Sequence, residues 1–297
     1  MRMQHASKPG LTSKLLLACS TISFACLIVA SLVSVSLCRE TFDESHSAYN
    51  SLLKKYVKNG RVDYSGFIAS KEDFASYLNT LGSVKQSEYD SWTEEEKLAF
   101  WINAYNAFTI KAIIDNYPIT RSFSIVGLFV PSNSILQIKG VWDKLKFEAV
   151  GKDVTLEDIE HEILRKQFHE PRIHMALNCA SVSCPDLRNE AYIAAKLEEQ
   201  LAQASAAFMN NPEKGLYIDE GDGIVKLSKI FNWFGDDFIP IYGSGHTFQG
   251  RNEKENAALN FALVYVDSDS KKEYLKRNNF RIGYLNYDWH LNELEDY

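Results

Sequence analysis

Hydrophobic and polar positions follow one another along this chain in blocks of changing period. Between residues 43 and 58, Tyr49, Leu52, Leu53 and Tyr56 recur at three- and four-residue spacing, and Asn59-Gly60 ends the pattern, which predicts an amphipathic helix. Arg61 to Ile68 reads as a short extended piece and a turn, and Glu72 to Leu81 as a second helix. Thr93 followed by Glu94, Glu95 and Glu96 marks a third helix start, because acids in a first turn meet the positive end of the helix dipole. That helix runs to Asn116, ahead of Pro118. Its segment 100–114, FWINAYNAFTIKAII, is apolar almost all round, which predicts a central, buried helix.

Residues 119–140 read as a long loop, with turn chemistry at Gly127, Pro131, Ser132 and Asn133, and such a loop can form the rim of a site. Lys144 to Thr155 predicts a hairpin about Gly151-Lys152, and Thr155 with Asp158 a capped helix running to about Phe168. Arg172 to Asn178 reads as a strand with Ile173, Met175 and Leu177 on one face. Ala191 to Met209 is an Ala-rich helix, and Leu216 to Leu227 a hairpin about Gly221-Asp222-Gly223. Ser228 caps a short aromatic helix, Asn252 opens another through Val264, and Phe280 to Leu285 is a final strand. Helices and hairpins mix without regular βαβ alternation. The expected class is α+β: a single domain whose buried central helix packs with several helices against a small, mostly antiparallel sheet.

Composition adds a compartment and removes some partners. Residues 15–38 carry no charge and follow a front end with Arg2, Lys8 and Lys14, the layout of an export signal and also long enough to span a bilayer. Residues 1–38 are therefore read as a signal peptide or an N-terminal membrane anchor, and residues 39–297 as one globular domain. The positive flank stays inside, so the body is expected outside the cytoplasm, secreted or periplasmic, with membrane contact through the N-terminal segment. The formal charge of −7 becomes −10 without the three positive residues of that segment. No basic run tracks phosphates, so nucleic acid is not an expected partner. Hydrophobic content of 45% and aromatic content of 12% predict a globular fold. The GSG at 243–245 lacks the Lys and helix of a phosphate loop, and no cofactor is expected.

The stretch RIHMALNCASVSCPDL, residues 172–187, concentrates the candidate chemistry. With residues 1–38 set aside, Cys179 and Cys184 are the remaining cysteines. They fit a thiolate nucleophile, a small disulfide clip, inert buried thiols or, least well, part of a metal site, since no CxxC or HExxH spacing is present. A Cys179 nucleophile needs an imidazole. His174 lies five residues upstream, with strand parity that points it to the opposite face, and His161 lies on the preceding helix. Asn103 and Asn106 share a face of the central helix, where they either tie down loops or orient a catalytic group. The candidate catalytic set is Cys179, His174, His161, Asn103 and Asn106, with no metal ligands assigned. His169, His246 and His290 read as surface or loop residues, Asp236-Asp237 as a solvated helix end, and Phe231, Trp233 and Phe234 as core.

The segments AFWINAYNAFTI (99–110), LEDIEHEILR (156–165), IHMALNCASVSCPDL (173–187), LSKIFNWF (227–234) and YDWHLN (287–292) together resemble the domain of unknown function 547 family. The resemblance implies a fold without an established activity. It also implies that the Asn at 103 and 106, the His at 161 and 174 and the Cys at 179 belong to the family pattern. By this resemblance plant members carry Ser at the position of Cys184, which weakens an obligatory bridge, and the family more often has Ser at the position of His290. Two functions remain open. One is a thiol-dependent hydrolase or acyl transferase acting on a peptide, small-molecule or envelope substrate. The other is a non-catalytic envelope binding module with a structural Cys/His cluster.

Overall fold

Two hydrophobic clusters organise the described residues, 41–122 and 128–294 of this computed structural model. The expected signal or anchor segment, residues 1–38, lies outside them, as does Gly127 of the long loop. Among the described residues no helix is long and apolar enough to cross a membrane. The fold is α+β, and the described residues from Phe42 onward form one compact unit.

The first cluster is built on helices α1 (Ser47–Tyr56), α2 (Lys71–Ser83) and α3 (Glu94–Ile114). Helix α1 buries Tyr49, Leu52, Leu53 and Tyr56, the face its spacing predicts. Thr93 starts α3 through a capping box: its hydroxyl accepts from the Glu96 amide at 3.2 Å, and the Glu96 carboxylate accepts from the Thr93 amide at 2.7 Å. Every residue of α3 from Leu98 to Ile110 is buried, so the all-round apolar pattern does mark the central helix. Between α1 and α2 the chain departs from the extended reading. A two-residue strand, Arg61–Val62, is followed by a helical turn Tyr64–Ala69, because the Asp63 carboxylate accepts from the Gly66 amide at 2.7 Å and caps it.

The hairpin predicted about Gly151 is present as Phe147–Ala149 paired with Lys152–Val154. Val150 and Gly151 at its tip have φ of +53° and +65°. Such a φ is strained for a β-branched residue. Here the two turn amides donate to the carbonyls of Leu81 and Gly82 at 3.0 and 2.9 Å, which fixes the turn on the end of α2.

The second cluster joins α4 (Leu197–Met209), a three-stranded sheet and α5 (Gly235–Tyr242), α6 (Glu253–Tyr265) and α7 (Asp269–Arg277). The hairpin Leu216–Asp219 with Ile224–Leu227 turns at the predicted Gly221-Asp222-Gly223, and Arg281–Tyr284 adds in parallel to its second strand. Ser228 accepts from the Ile230 amide at 3.3 Å and opens the short helix Lys229–Trp233, as its sequence predicts.

One element is corrected. Residues 172–178 are not a strand: Pro171–Met175 is a 3₁₀-helix. Pro171 supplies the fixed φ of a first helical position, and the Glu170 carboxylate accepts from the Arg172 amide at 3.0 Å. Ile173, Met175 and Leu177 are buried, as an alternating strand requires, but so are His174 and Ala176 between them. Burial on all sides erased the periodicity that distinguishes a strand from a tight helix. The parity objection to His174 meeting Cys179 falls with the strand.

Candidate ligand pocket

Cys179 and Cys184 are joined in a disulfide, with Cα atoms 6.2 Å apart. The bridge closes a small loop, and three buried amides position that loop. Asn106 of α3 accepts from the Asn178 amide at 2.8 Å and donates to the Ala176 carbonyl at 3.0 Å. Asn178 donates to the Pro185 carbonyl at 2.8 Å, so it spans the loop from end to end, and its side-chain oxygen accepts from the Ala180 amide at 2.9 Å. Asn292 donates to that same oxygen at 3.1 Å. The loop's other edge is held by the C-terminal segment: the Val182 amide donates to the His290 carbonyl at 2.9 Å, and the Asp288 amide to the Ser183 hydroxyl at 2.9 Å.

This pairing brings Tyr287 over the bridge. Its hydroxyl lies 3.3 Å from Cys179 Sγ and 3.2 Å from Cys184 Sγ, and it accepts from the Ser181 hydroxyl at 3.2 Å. Burial of the phenol, only partly offset by Ser181, pushes Tyr287 well above the usual tyrosine range. It therefore remains a proton donor toward sulfur.

The bridge forms one wall of a pocket of about 240 Å³. The rest of the lining is largely aromatic: Trp142, Phe234 and a cluster in which the Tyr287 ring centroid lies 4.8 Å from that of Trp233 and 4.7 Å from that of Trp289. Trp233 is 42% exposed and corrects the core reading; Phe231 beside it is core, and Phe234 is half-buried. The polar lining comes from Glu160, His161 and His174. Among the described residues Glu160 is the one carboxylate in the lining, and Tyr105 donates to it at 3.0 Å. His161 and Glu160 come from a π-helix, Asp158–Leu164, capped as expected by Thr155, whose hydroxyl accepts from the Asp158 amide at 3.0 Å.

Hydrogen bonds fix both imidazoles. His161 Nδ1 lies 2.7 Å from Arg165 Nη1; a guanidinium only donates, so Nδ1 accepts and the ring proton sits on Nε2. His174 Nε2 lies 2.7 Å from Asp237 Oδ2; a carboxylate accepts, so Nε2 carries the proton. His174 is buried and stacks on Phe234 with centroids 4.3 Å apart. Arg165 grips Asp237 through two nitrogens at 2.6 and 2.9 Å. Burial raises the Asp237 pKa, but the hydrogen bonds and charges of His174 and Arg165 outweigh it and hold the carboxyl far below the usual range. Asp237 is thus no solvated helix end: it sits in the first turn of α5, where the helix dipole also favours an acid, and it orients His174.

Of the five residues expected to act together, Cys179, His161 and His174 line the same pocket. Asn103 and Asn106 do not. Asn103 donates to the Tyr192 carbonyl at 2.7 Å and accepts from its amide at 3.0 Å, so both amides tie down backbone. The hydrogen bonds of Cys179 Sγ go to Ser181 and Tyr287 rather than to either imidazole. Among the described residues no three His, Cys, Asp or Glu side chains converge as ligands of a metal. Sequence reasoning missed Asp237, Trp233 and Tyr287. The available signals were the LSKIFNWF segment for Trp233 and the YDWHLN segment for Tyr287, which gave motifs without a place.

An α+β domain with a disulfide-walled aromatic pocket is what the fold and the site define. Residues 89–209 match the family model described as "Protein of unknown function, DUF547", the same family that the sequence motifs resemble. The matched segment is narrower than the span of those motifs. It supplies the bridge, Glu160 and both imidazoles, while Asp237, Trp233, Tyr287 and Trp289 come from beyond it. None of the curated proteins and none of the solved structures matches the chain.

Proposed function

We propose that this protein is a binding module of the cell envelope whose aromatic pocket takes a small organic cation. The observation that carries this reading is the lining that the described residues provide: three tryptophans, Tyr105, Tyr287 and Phe234 around the carboxylate of Glu160. Aromatic faces attract cations electrostatically, by about 0.5–2 kcal/mol each depending on desolvation, and the carboxylate adds charge. Arg165 pairs with Asp237 through two nitrogens, and its guanidinium also donates to His161 Nδ1. The uncharged segment 15–38 behind a basic front end supports placement outside the cytoplasm.

The test is a tryptophan-fluorescence titration of the full chain with benzyltrimethylammonium and with an uncharged isostere. The expected result is saturable quenching by the cation, at least 10-fold weaker in Glu160→Gln. Equal affinity for the uncharged compound removes the cation assignment, and an unchanged spectrum with both removes the pocket as a binding site.

The hydrolase or acyl-transferase reading needs Cys179 as a thiolate, and a bridged sulfur is no nucleophile toward a carbonyl. One observation keeps it as a second reading for the reduced protein: Asp237 orients His174, which lines the same pocket as Cys179, as a base is oriented in a catalytic triad.

A further inference from the structure

We propose that the Cys179–Cys184 bridge is a thiol–disulfide exchange site, in which Cys179 is the sulfur attacked by an external thiol and Cys184 the sulfur that leaves. The two cysteines are unequal in ways that assign these roles. Both touch the pocket, but Cys179 is half-buried while Cys184 is only 2% exposed, so an incoming thiolate reaches Cys179 from the open side. Exchange runs faster the better the departing thiolate is stabilised. Cys184 Sγ already accepts the Cys179 amide proton at 3.0 Å, and the Tyr287 hydroxyl lies 3.2 Å away. Because Tyr287 accepts from Ser181, its own proton is free to turn to sulfur. Two donors thus wait where negative charge develops, and they need no rearrangement when the bond breaks. The Tyr287 hydroxyl, 3.3 Å from Cys179 Sγ as well, serves either sulfur, so the direction of exchange is set by the exposure of Cys179 and by the Cys179 amide on Cys184.

The reaction balances with a dithiol as reductant. Its first thiolate forms a bond to Cys179 Sγ; the Cys179–Cys184 bond breaks, and its electron pair leaves on Cys184. The second thiolate attacks the mixed disulfide, the Cys179 thiolate departs, and the reductant leaves as its own disulfide. Two electrons pass from reductant to protein, and the two protons of the dithiol end on the cysteines or in solvent. The pocket also selects the class of thiol. With Glu160 as its one carboxylate and aromatic walls, it favours cationic or uncharged thiols over anionic ones. This exchange stands apart from the cation-binding proposal, since it needs only an open pocket and an accessible Cys179.

The experiment treats the oxidised full chain with cysteamine, 2-mercaptoethanol or 3-mercaptopropionate under native conditions. Acid quenching, alkylation with N-ethylmaleimide and peptide mass mapping follow, with rates normalised to each reagent's thiolate concentration. The expected adduct is on Cys179 with the label on Cys184, and cysteamine reacts about 10-fold faster than 3-mercaptopropionate. In Glu160→Gln that preference shrinks, and in Tyr287→Phe all three thiols react several-fold more slowly. An adduct on Cys184, or reduction seen only in denaturant, overturns the proposal from the wild-type protein alone. Exchange at Cys179 without charge preference overturns the assignment of thiol class. Benzyltrimethylammonium binding is read separately by fluorescence, so failure of one proposal is distinguishable from failure of the other.

Discussion

The backbone amide of Asn178 donates to the side-chain oxygen of Asn106 across 2.8 Å of protein interior. A residue in the middle of the central helix therefore sets where the bridged loop begins. Asn106 is 2% exposed, and its amide nitrogen also holds the Ala176 carbonyl. Asn106→Ala leaves two buried backbone groups without partners, each costing about 1–3 kcal/mol. The expected loss of unfolding free energy is about 2–4 kcal/mol, read by urea denaturation. A loss under about 1 kcal/mol shows that water or loop relaxation replaces both bonds, and that the amide does not set the loop.

His46 carries a pH dependence of known sign. Burial lowers its pKa to about 3, against the opposing charge of Asp43, and its Nδ1 lies 2.8 Å from the Tyr77 hydroxyl. The unfolded chain protonates this residue near pH 6.5. Its neutral form therefore contributes full stability above that value, and the contribution is lost as pH falls from about 6.5 toward 3. The expected slope from this one group approaches 1.4 kcal/mol per pH unit. Denaturant midpoints from pH 7 to 4 should flatten in His46→Gln relative to the native sequence, and an identical slope in both proteins shows that another group governs the acid limb.

Asp237 acts in a lower window. Hydrogen bonds from His174 and Arg165 overcome the effect of burial and depress its pKa in the folded state. Its contribution is fully present above the unfolded carboxylate value, about 3.9, and is lost as pH falls through the folded value. In Asp237→Asn the stability drop between pH 4 and pH 2 should shrink, while the drop between pH 7 and 4 that belongs to His46 persists. The same variant releases His174 from its orienting partner, which a changed imidazole ¹⁵N shift detects. No change in either readout removes Asp237 from the account of the pocket.

Legibility in the sequence followed the range of the interaction. Thr93 and Asn252 announced helix starts, and each proves to be the first half of a capping box complete within four residues, with Glu96 and Glu255 as the second halves. The hairpin at Gly221 to Gly223 and the buried face of α3 were equally local. The candidate site was half legible. Cys179, His161 and His174 stood out as residue types, and they do share a pocket. What completes it comes from far along the chain: Asp237 lies 63 residues from His174, and Tyr287 lies 108 from Cys179. No period or cap encodes a meeting at that separation. The 3₁₀-helix Pro171–Met175 was hidden for a different reason, since burial on every side removes the contrast that pattern reading uses.

The strand-like pairing of residues 180–183 with residues 288–292 has a consequence for biosynthesis. A ribosome delivers residues 89–209 before it delivers Tyr287 and Trp289, so a polypeptide that stops early holds both cysteines but lacks two of the rings that line the cavity beside them.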